Sequence, residues 1–224
     1  MNSSIGDKLA DFYLTLQPPV LPKGIELLFP QQNHEVQKIT NLFFKKFYAD
    51  NKPRSLILGI NPGRLGAGIT GINFTAAKQL KENCGIEHSF KASSELSAEF
   101  IYDVIESYGG AKIFYKDWFI GAMSPLGFVK AGKNINYYDD KKLMAAVTPF
   151  IVKSIQQQLS FGINTDRCLC IGEDRNYKFL SQLNEKCEWF NNITPLPHPR
   201  FVMQYKRKNK QAYIDQYLQA LTIT

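Results

Sequence analysis

With 224 residues, 44% of them hydrophobic and 21% charged, the chain can bury a sizeable core and is unlike a disordered, highly charged segment. No apolar run approaches the roughly 20 residues that span a bilayer, and the stretch Met1 to Lys8 lacks the charged start and apolar run of a secretion signal, so a cytoplasmic protein with no membrane partner is expected. A net charge of +7 and a pI near 9.1 are compatible with a nucleic-acid partner.

Taken in chain order, Asp7 to Leu16 reads as a first helix and Gln17-Pro18-Pro19-Val20-Leu21-Pro22 as a stiff connector. Asn33 caps a second helix running to about Ala49, with Val36, Ile39, Leu42, Phe43, Phe44 and Phe47 on its apolar side. Ser55 to Gly59 is a buried strand, and a short helix follows Thr75. Leu96 to Tyr108 is a helix ended by Gly109-Gly110. Trp118 to Met123 is a second strand, Lys141 to Leu159 a long helix, and Arg167 to Ile171 a third strand. A helix over Arg175 to Asn184, a fourth strand over Glu188 to Ile193, a rigid loop Leu196-Pro197-His198-Pro199 and a last helix over Asn209 to Leu221 close the chain. Strands alternating with helices predict a mostly parallel sheet covered on both faces. No repeat, low-complexity tract or boundary interrupts residues 1–224, which read as one domain.

The segment from Gly59 to Phe74 carries the most chemistry. A strand that breaks into Asn61, Pro62 and a series of glycines puts a polar group at the carboxyl edge of a sheet, where ligands of open α/β folds bind. The glycines allow close backbone approach, and Asn61 offers both an acceptor and a donor. The segment is not a phosphate cradle: Gly-Lys-Ser/Thr is absent, and the G-x-G-x-x-G pattern of Gly66 to Gly71 starts well past the strand's end. Cys84, Cys168, Cys170 and Cys187 form no C-x-x-C, and His34, His88 and His198 show no metal spacing, so neither a metal nor another cofactor is expected. Arg200, Lys206, Arg207, Lys208 and Lys210 cluster directly after His198, interleaved with Phe201, Met203 and Tyr205. Cations can neutralise phosphates, and an apolar side chain can wedge into a base stack.

Gly59-Ile60-Asn61-Pro62-Gly63 with Thr70-Gly71-Ile72-Asn73-Phe74 resembles the first motif of the uracil-DNA glycosylase superfamily, closest to its single-strand-selective monofunctional branch. Ser97 to Tyr102 resembles the family's S-G-x-R-F-W helix start, Phe119 to Phe128 its second strand and following loop, and His198-Pro199-Arg200 its second motif. The resemblance covers about Arg54 to Arg200. It implies a three-layer α/β/α sandwich with a short, mostly parallel four-stranded sheet, and a monomer. It also implies a monofunctional DNA glycosylase of base excision repair that flips a damaged base from single- or double-stranded DNA and hydrolyses its N-glycosidic bond.

In that reading Asn61 positions water and His198 donates to the departing base. Gly59, Ile60, Pro62, Gly63, Phe74 and Ser124 form the base pocket, with Phe74 stacking on the base. Arg200, Phe201, Tyr205, Lys206, Arg207, Lys208 and Lys210 bind DNA. Ala122 falls where the family carries a base-reading Asn, which leaves base reading to backbone groups or to a side chain such as Asn73 or Asn134. Two alternatives stay open: a DNA-binding protein on the same fold with little or no catalysis, and an N-glycosidase acting on free nucleosides.

Overall fold

The computed structural model describes residues 3–222, except 92 and 94; Met1 and Asn2, the first residues of the stretch compared above with a secretion signal, lie outside this range. Its helices are α1 (Ile5–Leu14), α2 (His34–Phe47), α3 (Ala67–Thr70), α4 (Ala77–Glu82), α5 (Leu96–Tyr108), α6 (Ala111–Asp117), α7 (Lys141–Leu159), α8 (Arg175–Cys187), α9 (Pro199–Tyr205) and α10 (Lys210–Thr222). Its strands are β1 (Ile25–Leu28), β2 (Arg54–Gly59), β3 (Trp118–Ala122), β4 (Gly127–Lys130), β5 (Lys133–Ile135), β6 (Ile163–Ile171) and β7 (Asn192–Leu196).

The expected parallel sheet is present, with four strands in the order β3-β2-β6-β7. Leu56, Leu58, Cys168, Cys170 and Ile171 of its central strands are completely buried, as near-continuous apolar strands between two helical layers must be. The chain leaves β2 toward β3 on one side and leaves β6 toward β7 on the other. Because parallel crossovers are right-handed, the two sets of connecting helices cover opposite faces. A crevice therefore opens between the carboxyl ends of β2 and β6, the switch point where open α/β folds bind ligands.

Several expected boundaries change. The fourth strand spans Asn192–Leu196, not Glu188 to Ile193: Glu188 caps α8 in a left-handed conformation, and the strand runs on through Pro195. Proline is tolerated there because β7 is an edge strand. The rigid loop shrinks, since Leu196 ends β7 and Pro199 starts α9. Residues after Gly109-Gly110 form α6, which the sequence reading passed over.

A second, antiparallel sheet in the order β1-β4-β5 was not anticipated. It folds the hairpin β4–β5 back over the carboxyl end of the main sheet. Gly127 accommodates this close approach, because a Cβ there would lie 2.3 Å from the Pro62 carbonyl oxygen. Among the described residues no helix is long and apolar enough to cross a membrane.

Candidate active site

At the switch point lie two adjoining cavities of about 100 and 420 Å³, which share Ile60, Asn136, His198 and Arg200. The smaller is walled by Gly59 at the end of β2 and by the segment after it, including Asn61, Pro62, Gly63 and Phe74, and closed by the hairpin residues Asn134 and Ile135. Strand and loop bring Asn61, Phe74 and His198 together although up to 137 positions separate them (198 − 61).

Asn61 is held, not loose. Its Oδ1 accepts from the Tyr137 backbone N–H at 3.0 Å, and its Nδ2 donates to the carbonyl oxygens of Ile135 at 3.3 Å and Pro62 at 3.4 Å. The side chain thus clamps the backbone on both sides of Asn136, leaving one lone pair on Oδ1 for another donor. Tyr137 is fully buried and its hydroxyl donates to Asn176 Oδ1 at 2.7 Å. Asn176 Nδ2 in turn donates to the Ile171 carbonyl at 2.9 Å. The network ties the end of β2 to the end of β6 through groups that have few unmet bonds, and such networks fix geometry.

His198 is the N-cap of α9, and its Nδ1 accepts from the Arg200 backbone N–H at 3.2 Å. Burial pushes its pKa down to about 4, and the neighbouring Arg200 charge acts in the same direction. The ring is therefore neutral at pH 7. With Nδ1 serving as acceptor, the proton sits on Nε2, which becomes the ring's one donor toward the cavity. Phe74, at a left-handed φ of 51°, packs its ring over Gly59, where a Cβ would stand 2.6 Å from Phe74 Cε2. The Phe74 and His198 rings lie 6.2 Å apart at 48°.

The remaining expected residues divide. Gly59, Ile60, Pro62 and Gly63 line the small cavity; Ser124 does not, being fully buried with its hydroxyl donating to the Leu126 carbonyl at 2.7 Å. Phe201 and Tyr205 are exposed and line the larger cavity, whereas Met203, which the sequence grouped with them, is core. Arg200, Lys206, Arg207 and Lys208 are exposed, while Lys210 pairs with Asp103 at 2.8 Å. Sequence reasoning missed Glu95, Ser97 and Asn136 in the cavity walls. Tyr137, which the sequence does not single out, orients Asn61 through its backbone N–H. The signal for Glu95 and Ser97 was their place at the start of α5, where Glu95 Oε2 caps the Ala98 N–H.

The profile of the Uracil DNA glycosylase superfamily matches residues 45–222. The chain is also similar to a solved structure of wild-type SMUG2 from Pedobacter heparinus, at 45% identity and a TM-score of 0.95, over 98% of this chain and 97% of that one. A comparison with curated protein sequences returned no match.

Proposed function

Because the chain belongs to the uracil DNA glycosylase superfamily, we propose that it is a monofunctional DNA glycosylase. It hydrolyses the N-glycosidic bond of uracil or a modified base in DNA, as a cytoplasmic, single-domain monomer of base excision repair. The observation that carries this reading is the neutral His198, with its Nε2–H as the free donor, in one small cavity with Phe74 and Asn61.

A base inside a duplex must leave the stack before its glycosidic bond can be reached. Phe74 offers it a ring to stack on. As the bond breaks, the sugar takes on oxocarbenium character and the base leaves as an anion. The His198 Nε2–H donates to the developing charge on the base oxygen, and a preorganised donor of this kind is worth about 10²–10³-fold in rate. A neutral donor spares the enzyme the cost of holding an imidazolium beside Arg200. Asn61 directs its remaining Oδ1 lone pair at the attacking water; as an amide it orients the water and does not deprotonate it. Among the described residues no lysine lines either cavity, which supports hydrolysis without a Schiff base. Arg200, Lys206, Arg207 and Lys208 neutralise phosphates, and Phe201 and Tyr205 fill the gap in the stack.

The test is base release from labelled single- and double-stranded oligonucleotides carrying uracil, 5-hydroxymethyluracil or hypoxanthine, with abasic sites cleaved by hot alkali. Asn61→Ala and His198→Ala are expected to lose most activity while remaining folded. Wild-type rates in both variants would show the site assignment to be wrong. Salt-sensitive DNA binding without any release would identify a binding protein instead.

A further inference from the structure

Ala122, at the end of β3, offers the cavity only a methyl group. Beside it stands Asn73, whose Nδ2 donates to the carbonyl oxygen of Ile120 on the same strand at 3.2 Å and to the Tyr13 hydroxyl at 3.1 Å. These two bonds fix which way round the amide sits. A backbone carbonyl can only accept, so Nδ2 must face Ile120 and the flipped amide is excluded. Tyr13 is buried on α1, and burial raises its pKa, so it stays a protonated phenol across the physiological range. Among the described residues no protein donor reaches Asn73 Oδ1, and Asn73 forms part of the cavity wall next to Phe74.

We propose that Asn73 is the specificity-determining residue, its Oδ1 accepting the ring N–H of a lactam, the –CO–NH– unit of a deaminated base. This rests on the glycosylase reading above. Uracil, its 5-substituted forms, hypoxanthine and xanthine all carry a ring N–H beside a carbonyl. Cytosine and adenine present an unprotonated ring nitrogen at that position, and its lone pair opposes the Oδ1 lone pairs. A freely rotating Asn could turn its NH₂ toward cytosine and accept it. Asn73 cannot, because its NH₂ is committed to Ile120 and Tyr13. One pinned acceptor thus separates uracil from cytosine and hypoxanthine from adenine, whereas guanine, itself a lactam, must be kept out by the shape of the cavity.

Single-turnover release of uracil, 3-methyluracil and cytosine by the wild-type protein and Asn73→Ala tests this. Wild type is expected to prefer uracil over 3-methyluracil, which lacks the N–H, by about 10–100-fold, the range that a buried acceptor left unpaired carries. In Asn73→Ala uracil release falls by a similar factor. The space vacated by the amide admits the extra methyl, so the preference collapses to within a few-fold. Should the alanine variant not fold, Asn73→Ser keeps a donor for Ile120 while falling short of the base, and the same collapse is expected. An active wild type whose folded Asn73 variant keeps the preference overturns this inference alone. A wild type that releases no base from any substrate overturns the glycosylase reading and this inference with it.

Discussion

Replacing His198 with Gln should remove a defined part of the protein's acid sensitivity. In the folded chain the His198 ring is held neutral, with a pKa near 4 set first by burial and then by Arg200; in the unfolded chain it titrates near 6.5. Between those values the unfolded state binds a proton that the folded state does not. The ring's contribution is therefore fully present above pH 6.5, is lost as the pH falls toward 4, and changes no further below that. At 1.36 kcal/mol per pKa unit the span sets an upper bound of about 3 kcal/mol, of which about 2 kcal/mol is gone by pH 5. The ring is partly open to solvent through the cavity, so about 1–2 kcal/mol is expected between pH 7 and 5. The carboxylates of Asp7, Glu35, Asp50 and Asp140 are held low chiefly by hydrogen bonds from Ser4, Ser89, Arg54 and Lys130. Their contributions persist until the pH drops through the carboxylate range, outside this window. Urea unfolding at pH 7 and pH 5, for wild type and His198→Gln, isolates the histidine as a difference of differences. Equal pH dependence in the two proteins, or an NMR titration of His198 centred at 6.5, would refute the argument. The same neutral ring predicts base release that is flat from pH 8 to 5; a rate that rises below pH 6.5 would mean an imidazolium donor.

Gly59→Ala pushes a methyl to 2.6 Å from Phe74 Cε2, and displacing that ring should cost about 1–3 kcal/mol of stability and slow base release, read by thermal melting and single-turnover kinetics. Tyr137→Phe leaves the Asn176 Oδ1 without its 2.7 Å donor in a buried site; urea unfolding should show a loss of about 1–3 kcal/mol. Replacing Lys206, Arg207 and Lys208 together by Ala should leave melting unchanged while the plot of log affinity for DNA against log salt flattens by about 2–3, at 0.7–0.9 per phosphate contact. An unchanged slope would move the DNA track elsewhere.

The main sheet was legible because its inner strands are short apolar runs bounded by polar breaks, and Leu96–Tyr108 was legible through the Gly109-Gly110 pair that ends it. The hairpin was not. Its turn uses Ala131 at φ 48° before Gly132 at φ 72°, and alanine is a poor marker for a left-handed position. Its partner β1 is four residues long and arrives from far upstream, so nothing local announces the pairing. Pro195 masked β7, since the edge position that excuses a proline is a property of the assembled sheet. At the site, Asn61 and His198 stood out through their loop and flanking prolines. What holds Asn61 did not, because the Tyr137 N–H meets it only after the hairpin folds over. Ser124 was assigned to the base pocket through the family resemblance, yet its hydroxyl is spent on Leu126.

The superfamily profile begins at residue 45, yet α1 and β1 precede it and most of α2 lies upstream of it. Through Tyr13 the first helix grips Asn73, and through the pairing of Ile25 to Leu28 with Gly127 to Lys130 the first strand anchors the hairpin that closes the cavity. A protein trimmed to the shared region would keep both recognisable motifs and lose the scaffolding that sets their shape. The practical unit for expression, grafting or recombination between relatives is thus larger than the region the superfamily profile matches, and the upstream segment shapes the pocket without belonging to either motif.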